Sequence, residues 1–406
     1  MKEETFKPNT LDLSDKRRVY SLLPKVRSYS LLYYMLMVIW SLFSTKAEAQ
    51  NLDYDAIKGA TKIKINGGVS ANSVFYNSNQ RSSREPFTYM LQGNINISWL
   101  TFAIPISYSY SNQGSNLGYS VPFNFNRVAL NPKYKWIQGH VGDVSMTFSP
   151  YTLSGHQFTG AGVELTPKSP LKFSAMYGRL LKPVEFESDK RTIPSFKRMG
   201  YGAKISYEKE KYKFGLIGFY AKDDVNSIFY KSDSILKAQE NLVISVETGV
   251  QITKSIKANV EYAATSITND TRSNRVSRKV ENLSSLLFRN RSNTENYNAI
   301  KGSLDYIVGK TKVGLGYERV DAGYKTLGAY FFNNDFENIT FNASQPFIKD
   351  KVNLSMNFGL QRDDLQKNKA QNTKRLVGTF NAAYQASEKL NFTASYTNMS
   401  NYTNVR

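Results

Sequence analysis

The feature that most constrains the fold is an alternation of apolar and polar residues with a period of two, carried by segments about ten residues long. Residues 241–267 show it in its simplest form, because two alternating arms flank a short polar turn at 253–255. Side chains of a strand point alternately to opposite faces, so each arm is apolar on one face and polar on the other. Two such arms joined by a tight turn predict a β-hairpin. The apolar positions are Leu242, Ile244, Val246, Ile256, Val260 and Tyr262.

The same unit recurs in about seventeen strand-like segments between residues 61 and 400. Short turns strictly alternate with longer polar connections, as in an up-and-down barrel with short turns on one side of a membrane and long loops on the other. The short turns lie near residues 98, 137, 168, 209, 254, 309, 348 and 387. The longer connections are 77–87, 111–123, 149–157, 181–198, 223–240, 268–296, 320–335 and 362–374, of which 149–157 is the shortest and fits least. The sequence therefore predicts an all-β fold, an up-and-down antiparallel transmembrane β-barrel of about 16–18 strands.

The polar faces of these segments favour a hydrated interior. In residues 352–361 and 390–397 the polar positions are Asn, Gln, Ser, Thr and Gly, whereas the exposed face of a soluble sheet normally carries more Lys and Glu. A mean hydropathy of −0.44 is compatible with membrane residence, because only every second residue of a barrel strand meets lipid. A soluble β-sandwich or β-solenoid is the alternative, and the unequal lengths of the units argue against a solenoid.

The first 49 residues predict a cleavable signal peptide, and residues 50–406 the barrel. Basic residues at 16–18 precede an uninterrupted apolar run at 31–43, and Ala47-Glu48-Ala49 has the form of a cleavage site. The apolar run is shorter than the roughly 20 residues that a transmembrane helix needs. An amphipathic or buried helix is the alternative reading of this segment.

The formal net charge of +20 suits basic turns and loops that face anionic lipid or glycan head groups. Nucleic-acid binding is not expected, because no basic helix or nucleic-acid motif accompanies the charge. The sequence has no cysteine, which excludes disulfides, thiol catalysis and zinc–thiolate sites. Membrane lipid is the expected partner, and the sequence identifies no protein partner.

Four charged residues on polar faces are candidates to line the lumen, because a Lys or Arg facing lipid at the midplane costs about 2–4 kcal/mol. They are Glu164, Glu247, Lys257 and Glu261. Such residues either select ions or pair with one another, and the sequence leaves both roles open.

The longest connection, 268–296, combines basic residues with apolar ones. Its basic candidates are Arg272, Arg275, Arg278, Arg289 and Arg291. A loop of this composition can fold into the barrel as a plug, or it can dock an acidic glycan or a partner protein. A solvated loop without either role is the alternative.

No catalytic, metal-binding or cofactor-binding residues are predicted. The two histidines, His140 and His156, lie near strand ends or loops, and Ser154 beside His156 has no suitably spaced Asp for a catalytic triad. The acidic pairs at 223–224 and 363–364 are read as solvated loop charge, with weak Ca²⁺ binding as the alternative.

Pro105, within a strand-like segment, is the residue that fits the barrel least. A proline has no N–H to donate to a sheet ladder, and a closed barrel has no free edge to accommodate it. We expect a β-bulge at this position.

The whole pattern resembles outer-membrane β-barrel proteins of Gram-negative bacteria, over nearly all of residues 50–406. The Ala-Glu-Ala-Gln signal end and the strands rich in Tyr, Phe and Asn resemble those of the Bacteroidota, and residues 317–324 and 329–335 look like family motifs. The resemblance implies a last strand with a terminal aromatic residue, whereas residues 398–406 are polar. Together with the odd number of segments, this ending favours a sequence that is part of a longer, even-stranded barrel.

The sequence thus predicts an exported outer-membrane barrel that is not an enzyme. A channel or transport component is the first hypothesis, because a barrel of about 16–18 strands encloses an aqueous lumen. A non-conducting structural or interaction barrel, serving surface display, secretion or assembly, is the second. An outer-membrane enzyme is a distant third.

Overall fold

The structure, a computed structural model, describes residues 63–75, 87–99, 102–111, 127–186, 194–229, 236–277, 280–348 and 351–405. The predicted signal peptide lies outside these residues, as does Arg278. Within the described ranges, no helix is long and apolar enough to cross a membrane.

Eighteen β-strands and one 3₁₀ helix, η1 (Ser284–Leu286), form the described secondary structure. The strands are β1 (Lys64–Phe75), β2 (Phe87–Trp99), β3 (Phe102–Ser111), β4 (Arg127–Leu130), β5 (Lys133–Tyr134), β6 (Ile137–Thr147), β7 (Ser154–Leu165), β8 (Leu171–Leu181), β9 (Lys197–Lys209), β10 (Tyr212–Asp224), β11 (Glu240–Gln251), β12 (Ile256–Thr268), β13 (Thr294–Val308), β14 (Thr311–Val320), β15 (Phe336–Phe347), β16 (Val352–Asp363), β17 (Gln371–Ser387) and β18 (Leu390–Val405).

The strands form one antiparallel sheet in which neighbours in sequence are neighbours in space, from the β1–β2 ladder to the β17–β18 ladder. The predicted all-β, up-and-down antiparallel fold of a β-barrel, with about 16–18 strands, is thereby confirmed. The predicted hairpin is β11 and β12, with Val246 opposite Tyr262 and Glu247 opposite Glu261. The side chain of Thr253 supports its turn by accepting a hydrogen bond from the Ile256 N–H at 3.0 Å.

The predicted bulge at Pro105 is wrong. The β2–β3 ladder passes Pro105, opposite Asn96, without a register shift. On its other side β3 faces β4 and β5, which are two pieces of one strand position interrupted at residues 131–132 and continuing in the same register. Asn131 still donates its N–H to the Pro105 carbonyl at 3.0 Å. Pro132 lies in the interruption, so the two prolines place their missing donors at one point of the wall, which removes the need for a bulge.

Because β4 and β5 share one position, the 18 strands occupy 17 positions across the sheet. Adjacent positions run in opposite directions, so the first strand and the last run in the same direction. Both β1 and β18 start at the end of the sheet that carries the short turns. Among the described ladders, β1 pairs only with β2 and β18 only with β17.

The two faces of the sheet have opposite character. Along β10, Ile217, Phe219 and Ala221 are fully buried, whereas Phe214 and Leu216 on the other face are 52% and 54% exposed. We call the face that carries Ile217 and Phe219 the inner face, because two loops described below pack against it. The opposite, outer face exposes large apolar residues on almost every strand, among them Ile95, Leu315, Phe358, Phe392 and Tyr396.

Aromatic residues form two rows on the outer face. Near the loop ends of the strands, the rings of Tyr201 and Tyr220 are 5.0 Å apart. Near the short turns, the rings of Tyr384 and Phe392 are 6.3 Å apart. On β10, Tyr212 belongs to the second row and Tyr220 to the first, and their separation along the strand is about 26 Å at roughly 3.3 Å per residue. This is comparable with the apolar band of about 25 Å that lies between the aromatic girdles of membrane barrels.

Gly142 is a position in this wall where an added side chain should be destabilising. Its φ of +99° is a conformation that suits glycine, and a Cβ added there would lie 2.3 Å from the Val128 carbonyl oxygen. We expect Gly142→Ala to lower the free energy of unfolding by at least about 1–2 kcal/mol, the cost of left-handed backbone in an L-residue. Urea unfolding, followed by heat-modifiable gel migration, measures the change.

Gly93→Ala is the matched control, because nothing lies within 4 Å of a Cβ added at Gly93. Its unfolding midpoint should stay close to that of the parent. Equal midpoints for the Gly142 and Gly93 variants would contradict the strained packing between β4 and β6.

Candidate functional site: two loops on the inner face

Two connections at the long-loop end fold onto the inner face of the sheet. Loop A, residues 148–153, joins β6 to β7, and loop B, residues 321–335, joins β14 to β15. In loop A, Phe148, Tyr151 and Leu153 are buried, and in loop B, Tyr324 and Leu327 are buried. Sequence analysis placed loop A within the connection that fitted the barrel pattern least, and did not predict that either loop folds inward.

The loops are joined to each other by hydrogen bonds. The Tyr324 hydroxyl donates to the Tyr151 carbonyl at 2.9 Å, and the Thr326 hydroxyl donates to the Thr152 carbonyl at 2.7 Å. The Ser154 N–H donates to the Gly328 carbonyl at 2.9 Å. These contacts join segments more than 170 residues apart in sequence into one structure, which we call the latch.

Gly328 permits the closest approach within the latch. A Cβ at this position would lie 2.6 Å from the Thr152 carbonyl oxygen and 2.8 Å from the ring of Phe219. Only a residue without a side chain lets loop B lie between loop A and β10 at these distances. Loop B therefore rests directly on the wall of the sheet as well as on loop A.

Side chains of the wall hold loop B in place. Asn241 of β11 accepts a hydrogen bond from the Leu327 N–H at 3.0 Å, and Thr265 of β12 donates to the Lys325 carbonyl at 2.9 Å. Apolar residues of the two loops and of the wall beneath them form a continuous packed cluster that includes Phe148, Leu153, Ile217, Phe219, Val243 and Leu327. The inner face between β6 and β14 is thus filled with packed side chains.

Aromatic residues of loops A and B form a second packed cluster on the inner face. Tyr151, Tyr324 and Phe332 pack together over Ala263 and Ala299, with ring centroids 5.0–6.3 Å apart. The Tyr151 hydroxyl donates to the Glu318 carboxylate at 2.5 Å. Burial, followed by this hydrogen bond, raises the pKa of Tyr151 well above its usual range, and burial likewise raises the pKa of Tyr324. Both hydroxyls therefore remain protonated donors at physiological pH.

A charged group of the wall supports loop A. The Lys204 ammonium donates to the Phe148 carbonyl at 2.7 Å and to the Glu247 carboxylate at 2.8 Å. The Lys204 and Glu247 side chains are only 20% and 14% exposed. Glu261 accepts a hydrogen bond from Ser245 at 2.9 Å. The inward-facing charged side chains of this region therefore bind neighbouring groups of the protein and do not face open space.

All four residues predicted to line the lumen share the inner face. Glu247 and Glu261 lie beneath loop A, as just described. Glu164 lies 3.3 Å from the His140 ring. Lys257 lies near the short-turn end, where Asn259, Lys211 and Glu210 surround an open cavity of about 400 Å³. A role in ion selection stays a prediction for all four.

The predicted basic loop packs on the opposite face. Ser284 of η1 lies 2.8 Å from the hydroxyl of Ser266, on the outer face of β12, while the adjacent Thr265 faces inward to loop B. Phe288 in the same connection is buried. The described part of 268–296 therefore does not act as an internal plug; loops A and B fill that space instead. Docking of an acidic glycan or partner stays a prediction.

The arginines of this loop differ in their surroundings. Arg272 forms an ion pair with Asp270 at 2.9 Å and donates to the Leu236 carbonyl. Arg291 donates to the Ser273 carbonyl at 2.8 Å. Arg275 and Arg289 are exposed. Of the four described arginines, Arg275 and Arg291 face each other in an isolated antiparallel bridge, and Arg272 is paired with Asp270.

The histidines and acidic pairs have structural partners. His156 is buried, stacks on Tyr330 with ring centroids 4.0 Å apart, and has Nδ1 2.7 Å from the Gln157 carbonyl. Asp223 binds Arg198 at 2.7 Å, and Asp364 accepts a hydrogen bond from the Lys369 N–H at 3.0 Å. Within the described ranges, no group of three His, Asp or Glu residues is placed to bind a metal ion.

The inner face outside the filled region is polar and open. A cavity of about 850 Å³ borders the inner surfaces of β1 to β4, the long-loop ends of β6 and β7, and Tyr330 of loop B. Its lining includes Ser70, Gln92, Asn94, Ser107, Arg127 and Asp143. The inner faces of β15 to β18 are also polar, with Asn342, Ser355, Asn357, Asn381 and Ser395 beside two further cavities.

No protein-family model and no curated protein sequence matches the chain. Among solved structures it is similar to OpdQ of Pseudomonas aeruginosa, with 10% identity, a TM-score of 0.43, and coverage of 84% of this chain and 92% of that one. It is similar to OccK2 (OpdF) of the same organism in complex with glucuronate, with 9% identity, a TM-score of 0.43, and 84% and 92% coverage. OccAB3 of Acinetobacter baumannii has 12% identity, a TM-score of 0.41, and 78% and 86% coverage. Likenesses of this size do not transfer a function.

Removing hydrogen bonds of the latch should make the two loops separate more often, which labelling can measure. The double variant Tyr324→Phe/Thr326→Val removes two hydroxyl donors to loop A. At about 1 kcal/mol for each hydrogen bond, the open population should rise roughly 30-fold. A cysteine replacing the buried Ala263 reports the opening through its rate of maleimide labelling, against a chain without native cysteine.

Tyr317→Phe is the matched control, because its hydroxyl donates to Glu337 at 2.7 Å on the outer face. This variant should label Ala263→Cys at the parental rate. Parental labelling in the double variant would show that the hydroxyl bonds do not hold the loops together.

The Lys204–Glu247 pair gives a second prediction. Lys204→Met leaves Glu247 without its nearest cation in a mostly buried position, so unfolding should become easier by about 1–3 kcal/mol. Lys204→Met/Glu247→Leu, which removes both charges, should recover part of that loss. The pair between Lys222, whose side chain is 47% exposed, and Glu240 provides the comparison. Glu240 keeps the Tyr220 hydroxyl as a donor at 2.5 Å, so Lys222→Met should cost less than about 1 kcal/mol in the same urea titration. A loss in the double variant equal to the sum of the single losses would contradict the pairing.

Proposed function

We propose that this chain is an exported outer-membrane β-barrel that serves as a channel or transport component for small polar solutes. The observation that carries the proposal is the opposite character of the two faces. The outer face exposes apolar residues between two aromatic rows, and part of the inner face borders open cavities lined by Asn, Gln, Ser and Thr.

The outer face supports membrane residence in physical terms. Large apolar side chains such as Leu216, Leu315 and Tyr396 are each more than half exposed, an arrangement that water disfavours and lipid stabilises. The antiparallel ladders satisfy backbone N–H and C=O groups between strands, which the hydrocarbon interior of a bilayer requires. The predicted signal peptide at residues 1–49 accounts for export.

The latch supports a restricted pore. Loops A and B enter from the long-loop end and fill the region bounded by β6 to β14, while the cavities along β1–β4 and β15–β18 remain open. A narrow pathway beside a packed plug favours small solutes over bulk diffusion. No catalytic role is proposed, since the histidines and acidic residues described above serve packing and pairing.

A non-conducting interaction barrel is the second candidate. The extent of the filling between β6 and β14 favours it, because a filled interior makes a rigid wall that displays loops. Conductance separates the two functions.

The test is single-channel conductance in planar bilayers, with folding verified by heat-modifiable gel migration. The parent should give small, discrete steps. Replacing residues 325–332 of loop B by a short Gly-Ser linker should enlarge the steps several-fold, because the loop occupies part of the lumen. Replacing residues 283–287, which lie against the outer face, is the matched control and should leave the step size unchanged.

A correctly migrating barrel that gives no steps, with loop B present or removed, would exclude the channel and favour the interaction barrel. Complete extraction of the protein without detergent would exclude membrane residence.

A further inference from the structure

Charge is distributed unevenly around the inner face. Inward charge in β1–β3 and β15–β18 lies toward the strand ends; Arg375 of β17, for example, donates to Asn401 at 3.1 Å toward the long-loop end. The inward positions in the middle of these strands are uncharged, and Gln92, Asn94, Asn342, Asn357, Asn381 and Ser395 are representative. We call these seven strands the neutral arc. The four residues predicted to line the lumen, Glu164, Glu247, Lys257 and Glu261, all lie on β7, β11 and β12, outside it.

Most of the inward charges described outside the neutral arc are engaged with one another, and Lys257 instead borders the cavity near the short turns. Lys204 lies 2.8 Å from Glu247, and His140 lies 3.3 Å from Glu164. Lys213 lies between Glu208 and Glu247, at 3.7 and 3.8 Å. Much of this charged region is also covered by the packed loops. The open cavities therefore border the uncharged polar side chains of the neutral arc, some of which pair with one another, as Ser395 does by donating to Asn381 at 2.7 Å. Arg127, which also borders the largest of these cavities, lies at the long-loop end of β4.

The chemistry of the arc suits a particular class of solute. Amide and hydroxyl side chains each offer both donors and acceptors, as do the hydroxyl groups of a sugar. A charged solute loses hydration on entering a narrow pore and needs an opposite charge to offset that loss, which the middle of the arc does not supply. Tyr330, a residue that is 41% exposed and stacks on His156, also borders the cavity of about 850 Å³ and provides a surface with both apolar and polar character.

We propose that the neutral arc selects uncharged, polyhydroxylated solutes, that is, small saccharides, over anions and cations of the same size. This inference rests on the proposed channel function. It assigns the selectivity to the inner residues of β1–β3 and β15–β18 rather than to the paired charges of β7–β12.

Swelling of proteoliposomes that contain the full chain tests the inference with three solutes of similar size. Glucose is uncharged, glucosamine is a cation and gluconate is an anion. Glucose should enter several-fold faster than either charged solute. Equal or faster entry of gluconate or glucosamine would overturn the proposal without any variant.

Variants locate the selectivity. Asn94→Asp/Asn357→Asp places two carboxylates in the middle of the neutral arc, where they should speed glucosamine entry and slow gluconate entry at least threefold. Asn259→Asp is the matched control on β12, where the parent amide donates to Ser303 at 3.2 Å beside the charged region. It should leave the order and ratio of the three rates unchanged.

The outcomes distinguish the saccharide selectivity from the channel function on which it rests. A folded barrel with neither conductance nor swelling by any solute would remove the channel itself. Conductance with swelling that does not favour glucose would remove only the saccharide assignment. Selectivity that shifts as much in Asn259→Asp as in the double variant would show that the arc is not the pathway. Heat-modifiable migration of each variant confirms that the barrel has folded.

Discussion

The structure depends on the inter-strand hydrogen-bond ladder, since a sheet of this kind can expose an apolar face to lipid only if its backbone groups are paired within the wall. The ladder also determines which residues face each way. A shift of one residue would move Glu247 from the inner face to the apolar outer face, so the register of β11 against β10 and β12 is tightly specified. The same requirement explains why Pro105 and Pro132 lie side by side: one interruption disturbs the wall less than two.

Much of the wall is predictable from sequence because its signal is local and repeated. The hairpin of β11 and β12, the alternation of short turns with long connections, and the number of strand positions all follow from period-two patterning. Only the segment read as one strand between residues 124 and 135 divides, into β4 and β5. The bulge expected at Pro105 is absent because a neighbouring strand, which the local pattern does not identify, accommodates the proline.

The interior is less predictable because its contacts join distant parts of the chain. Loop A was read as a poorly fitting outer connection, and the basic composition of 268–296 favoured the wrong candidate for the plug. A local signal did exist: Tyr151, Leu153, Tyr324 and Leu327 are apolar residues inside connections that should be polar. The segments 317–324 and 329–335, which stood out as family-like, include Tyr324 of the latch and lie on either side of Thr326 and Gly328. Composition alone could not show that the two loops meet.

The long sequence separation of the latch contacts has a kinetic consequence. The Tyr324–Tyr151 and Thr326–Thr152 hydrogen bonds connect residues 173 and 174 positions apart. Contacts of such separation close large loops of chain and form slowly. Loop A is complete once β7 has formed and meets the wall at β9 and β10, yet its partner in the latch follows only with β14 and loop B. During assembly the apolar residues of loop A must therefore wait in a water-accessible interior, so filling of the barrel is a late, cooperative step that depends on most of the wall already being in place.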